Sequence, residues 1–184
     1  MTRLALALIL GCAAPAAGAA GCPAPPDRAA ELTALIEAAR AAPDEAAARG
    51  LSNAMWAIWA DAPDAHAQEL LDSAMARREM FDFDGALAAA DALVAYCPDY
   101  AEGYNQRAFV HFLREDYEAA LPDLERALER SPRHVAAMTG KALTLAALGR
   151  KGEAALSLRA ALDLNPWLGE RHLLPVLEAE AEDL

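Results

Sequence analysis

An unbroken 34-residue period runs through this chain from residue 67 to residue 168. Ala74, Ala108 and Ala142 recur at the eighth position of each unit, and Ala86, Ala120 and Ala154 at the twentieth. Pro98, Pro132 and Pro166 recur at the thirty-second. Self-similarity of this length marks stacked helical hairpins, because a single hairpin cannot bury its apolar face and a stack of them can. The alanines have a mechanical reason: helix axes approach to roughly 8–10 Å only where the crossing side chains are small. The period therefore predicts an all-α fold, a right-handed solenoid with units at 67–100, 101–134 and 135–168.

Each unit reads as a first helix, a turn, a second helix and a halting proline. In the middle unit Arg114-Glu115-Asp116-Tyr117 breaks the first helix, and Pro122 is expected in the first turn of the second, where a missing N–H costs little. Gly149 is expected to take the left-handed conformation that ends a helix. Asp82-Phe83-Asp84-Gly85 has a superficial likeness to a calcium loop but lacks the later acidic ligands, and reads as a helix stop followed by a cap.

The flanks do not follow the period. Residues 1–20 combine Arg3, an apolar run from Leu4 to Leu10 and an Ala17-Gly18-Ala19 cleavage pattern, the form of a secretory signal peptide. Residues 21–26 are a proline-rich linker. Residues 27–64 predict an atypical helical hairpin, with Asp27 capping a helix to about Arg40 and Asp44 capping another through about Ala60. Leu32, Leu35 and Ile36 carry the apolar spacing of the first helix, and Met55, Trp56 and Trp59 the bulk of the second. This hairpin either stacks as a preceding unit or folds back and fills the groove. Residues 169–184 predict a capping helix with Leu173, Leu174, Val176 and Leu177 on one side, kinked or delayed by Pro175.

Charge excludes one class of partner. A net charge of −12 with no basic run offers no footprint for phosphates, so nucleic acid is not expected. Leader cleavage would leave Cys22 and Cys97 in an oxidising compartment. Three states stay open: a Cys22–Cys97 disulfide, two unrelated thiols, or a lipid anchor on Cys12 or Cys22, although neither cysteine follows a good lipobox.

The succession Tyr104…Ala108…Tyr117…Ala120…Leu124…Ala127…Pro132 resembles a tetratricopeptide repeat, and its counterparts in the flanking units extend the likeness over 67–168. With Trp56-Ala57-Ile58-Trp59 before the array, the chain is similar to small exported tetratricopeptide proteins of alphaproteobacteria. The resemblance implies protein binding without a defined activity, with the first helices of successive units lining a concave face. On that face Leu71, Met75 and Arg78 of the first unit, Asn105, Phe109 and Phe112 of the second, and Thr139 and Leu143 of the third are expected to form a partner groove. Its centre would be apolar, with Arg78, Asn105 and Thr139 as polar handles. The family's carboxylate-gripping pocket is not expected, because Leu71, Met75, Ala136 and Gly140 stand where its polar residues would be needed.

Catalytic signals are missing. His66, His111, His134 and His172 are scattered without zinc spacing, and His111 reads as a satisfied inner residue. No nucleophile elbow, P-loop or dinucleotide fingerprint occurs. The sequence thus points to a non-catalytic periplasmic adaptor for an unidentified protein or peptide, without cofactor or metal, monomeric or weakly oligomeric, and outside the membrane unless lipidated. The competing reading is a lipid-anchored or self-associating structural component of the cell envelope.

Overall fold

The computed structural model of the chain describes residues 21–182; the expected leader lies outside the described residues. The elements are α1 (Ala29–Arg40), α2 (Glu45–Trp59), α3 (Ala65–Glu79), α4 (Phe83–Tyr96), α5 (Ala101–Leu113), α6 (Tyr117–Arg130), α7 (Val135–Ala147), α8 (Lys151–Leu164) and α9 (Leu174–Glu182), with a 3₁₀ stretch (Gly169–Leu173) before the last. No strand occurs among the described residues.

Several helix starts are set by side-chain acceptors, while α1, α5 and α8 have none. Asp44, Asp64, Asp82 and Asp116 accept the backbone N–H of Ala47, Ala67, Gly85 and Ala119, each satisfying a donor with no partner inside its helix. Asp27 does not cap as expected: it accepts from the Ala29 N–H, and Arg28 stands at the cap position of α1 without a side-chain bond. Pro122 is the sixth residue of α6, so it lies in the second turn rather than the first and removes one interior hydrogen bond. Pro175 is the second residue of α9, which begins only after the 3₁₀ stretch; the start is delayed and not kinked.

The turn between the helices of each unit repeats the same backbone bonds. Asp82, Asp116 and Arg150 donate their N–H to the carbonyls of Arg77, His111 and Leu145, five residues back. Phe81, Glu115 and Gly149 donate to Arg78, Phe112 and Ala146. This is the Schellman pattern, and it requires a left-handed residue. Gly149 has φ 76°, while Phe81 and Glu115 adopt φ 61° with full side chains.

The six register alanines are at most 1% exposed, so the small-residue period coincides with the helix crossings. Leu124 and Ala127 pack with Tyr104, Ala108, Ala120 and Ala137 across the second and third units. On the face opposite the groove Arg107 staples three helices. Its guanidinium grips Asp123 with two bonds of 2.7 Å and Asp91 with a third of 2.7 Å, and the Asp123 bonds foremost push its pKa up. At the far end Leu177 of α9 joins Leu145 and Leu158 in one cluster, covering the edge of α8.

The amino-terminal hairpin folds back instead of stacking as a preceding unit. Leu32, Ile36, Met55 and Trp59 form a single buried cluster with Val135 of α7, and Leu164 and Leu168 pack against it. Polar contacts follow the same path: Arg40 Nε donates to the Asp163 carbonyl at 2.5 Å, Arg133 Nη1 to Thr33 Oγ1 at 2.8 Å, and Asn165 Nδ2 to Ser52 Oγ at 2.9 Å. The Tyr100 hydroxyl donates to the Trp59 carbonyl at 2.6 Å, and burial raises that phenol's pKa. Cys22 and Cys97 are joined by a disulfide, with Cα atoms 5.1 Å apart. The hairpin therefore bridges the beginning of the array to its end.

Candidate functional site, a walled concave cavity

The first helices α3, α5 and α7 lie side by side and line a cavity of about 380 Å³. Six of the eight residues expected in the groove border it: Arg78, Asn105, Phe109, Phe112, Thr139 and Leu143. Leu71 and Met75 do not. Leu71 is fully buried with Ala67, Leu93, Cys97 and Tyr100, and Met75 is half-buried against the same cluster. The reason is positional. The α3 helix begins the array, so chain from the α2–α3 connection and Cys22 covers the face that a neighbouring unit would otherwise occupy.

Other residues of the cavity come from outside the expected stripe. Trp56 of α2, Leu168 at the end of the last unit and Glu170 just after it add a side wall, while Leu124 and Thr144 contribute from α6 and α7. Phe109 is 43% exposed, and the Arg78 guanidinium sits 4.7 Å above its ring. Phe112 meets Tyr117 edge to face at 5.3 Å.

Beneath the cavity lies a polar chain that no motif announced. Glu102 is fully buried and accepts from Gln106 Nε2 at 2.5 Å and from Asn105 Nδ2 at 3.1 Å. His134, also fully buried, caps α7: its Nδ1 accepts the Ala137 N–H at 3.2 Å. Nδ1 is thereby an acceptor, which puts the proton on Nε2, and Nε2 donates to Glu102 at 2.8 Å. Trp59 of the amino-terminal hairpin stacks on the imidazole at 4.2 Å. Arg78 Nη1 donates to the Gln106 carbonyl oxygen, which connects the chain to the cavity surface. A buried carboxylate is tolerable only when its oxygens are satisfied, and these three donors do that. Burial lowers the pKa of Arg78. Asn105, expected as a free handle, has its amide nitrogen committed to Glu102, and the Thr139 hydroxyl donates to the Val135 carbonyl at 3.0 Å.

The remaining histidines have local roles. His66 packs edge to face on Tyr96, and His172 Nδ1 lies 2.7 Å from the Gly169 carbonyl. His111 is half-buried 3.5 Å from an Asp116 oxygen, and its Nδ1 makes no hydrogen bond, so it is not the satisfied residue expected. Among the described residues no group of three or more His, Cys, Asp or Glu side chains is placed to hold a metal, and no helix is long and apolar enough to cross a membrane.

Fold and cavity together define a helical-repeat protein built to present a concave surface. Residues 110–166 match the tetratricopeptide repeat family, so the chain contains tetratricopeptide repeats there. A TPR repeat-containing protein of Rhizobium etli is 33% identical over 127 residues, covering 67% of this chain and 60% of that protein. The tetratricopeptide repeat protein 36 homologue of Nematostella vectensis is 41% identical over 61 residues, covering 33% of this chain and 34% of its own length. The chain thus spans less than two thirds of either relative. Among solved structures, the first TPR of Spaghetti (RPAP3) bound to the HSP90 peptide SRMEEVD superposes with a TM-score of 0.62 at 18% identity, covering 65% of this chain and 96% of that one, a likeness of fold.

Proposed function

We propose that this protein is a non-catalytic periplasmic adaptor that holds a protein or peptide partner on its concave face. The observation that carries the reading is Phe109: a large aromatic ring left 43% exposed at a cavity whose other large apolar side chains are buried or half-buried. A structural neighbour of this fold holds a peptide, by its own description. Export is supported by the leader-like first residues and by the Cys22–Cys97 bridge, which would persist in an oxidising compartment. A photo-crosslinking amino acid at position 109, expressed in cells and followed by mass spectrometry, should capture a distinct partner. The same residue at Leu156, exposed on α8, should not capture that partner. Recovery of nothing from position 109, or of the same proteins from both positions, overturns the proposal. The alternative of a self-associating envelope component draws on exposed Leu156 and Val176 on the last two helices. Light scattering showing a strict monomer would remove it.

A further inference from the structure

The groove contains a feature that a purely apolar docking surface does not need. Arg78 has a side chain only 14% exposed, yet its one hydrogen bond is to the neutral amide of Gln106. The nearest carboxylate, Glu79, lies 3.9 Å away and is 70% exposed, and Glu102, linked to Arg78 by hydrogen bonds through Gln106, acts on it by its charge without a direct ion pair. A guanidinium has five N–H donors in a fork shaped for a carboxylate, and a largely desolvated one gains most from a direct anionic partner. A second observation comes from the opposite helix. Thr144 borders the same cavity, is fully buried, and its hydroxyl has no hydrogen-bond partner among the described residues. The rest of the lining is aromatic and aliphatic, and a volume of about 380 Å³ lies within the range of small-molecule sites, roughly 300–1,000 Å³.

We propose that the cavity also binds a small amphipathic monocarboxylate, its apolar part among Trp56, Phe112, Leu124 and Leu143 and its carboxylate on Arg78. The side wall supplied by Trp56 and Leu168 favours a compact ligand over a long extended segment. Glu170 on the same lining disfavours a second negative charge, which selects monoanions over dianions. Thr144 supplies a hydrogen bond to a polar substituent on the apolar part. This assignment goes beyond the adaptor reading: a ligand so placed lies against Phe109 and competes with a protein partner there.

The test uses the full chain with its disulfide intact and decanoate as the probe, below its micellar concentration. Decanol serves as the neutral control and decanedioate as the dianion. Titration calorimetry and tryptophan fluorescence should show saturable one-to-one binding of decanoate, at least tenfold tighter than either control. Arg78→Met should weaken it at least tenfold, Arg78→Lys should recover part of the loss, and Glu170→Gln should tighten it several-fold. Melting curves confirm that each variant is folded. Equal affinity for decanoate and decanol, unchanged affinity in folded Arg78→Met, or no saturable binding would overturn the inference. Partner capture at position 109 without decanoate binding removes this assignment alone; decanoate binding without partner capture removes the adaptor reading alone.

Discussion

Replacing Cys22 by serine removes a covalent link between the segment before α1 and the end of α4, and the size of the loss follows from the loop it opens. The two cysteines are 75 residues apart in sequence, and closing a loop of that length restricts the unfolded chain by about 4.5 kcal/mol at 25 °C in the chain-entropy account. Cys22 is the better site for substitution, because Cys97 is 1% exposed and a serine there would also bury an unpaired hydroxyl. Urea unfolding followed by far-ultraviolet circular dichroism reads the effect. With a slope of ~2 kcal/mol per molar, the midpoint should fall by about 2 M in Cys22→Ser, and by a similar amount when the native protein is reduced. Hydrogen exchange adds the spatial test. Amides of α1 and α2 should open more readily than those of α5 and α6, because the bridge ties down the segment that leads into the amino-terminal hairpin. A midpoint shift below roughly 0.5 M would refute the reasoning, since a bridge worth so little restrains no loop of this length.

Three further expectations follow. Ala120→Leu, at a fully buried helix crossing, should cost ~1–3 kcal/mol and lower the melting temperature; an unchanged midpoint contradicts the crossing assigned to that alanine. Glu115→Gly should stabilise the protein by ~0.5–1 kcal/mol, because it relieves left-handed strain at φ 61° on an exposed residue against the greater freedom glycine has when unfolded; a lower urea midpoint would contradict it. Acid should weaken the fold through its caps. The Ala67 N–H and then the Tyr96 hydroxyl hold Asp64 below the usual aspartate pKa, and the Gly85 N–H and then Arg77 do the same for Asp82. A depressed folded-state pKa means that the contribution is fully present above the unfolded value near pH 4 and is lost as pH falls through the lower folded value. Urea midpoints for Asp64→Asn should therefore depend less on pH below ~4 than those of the native protein; parallel curves would contradict the assignment.

The repeat was legible because its physical cause is local and periodic. Ala74, Ala108 and Ala142, with their partners on the second helices, recur wherever rods must cross closely, and every such crossing demands the same small residue. Capping is likewise a matter of a few neighbouring residues, and it was legible at Asp44 and in the Asp82–Gly85 turn, while the caps at Asp64 and Asp116 emerged from the structure. The left-handed turn was visible only at Gly149, since phenylalanine and glutamate at 81 and 115 do not advertise a conformation they merely tolerate. Of the cavity, the sequence alone pointed to Asn105, Phe109 and Phe112 of α5, Thr139 and Leu143 of α7 and, from α3, Arg78, because those positions repeat. Tertiary structure decided the rest. Leu71 shares the periodic position of Asn105, yet it became core because the first unit has no neighbour and other chain covers it. Trp56, Leu168 and Glu170 reached the cavity only because the amino-terminal hairpin folds back towards the far end of the array. Glu102 and His134, 32 residues apart, were brought together by stacking, and two polar side chains that are unremarkable in sequence became a buried pair. A repeat encodes how each unit meets the next; where the array ends, what covers the exposed face depends on chain from elsewhere, and no period describes that.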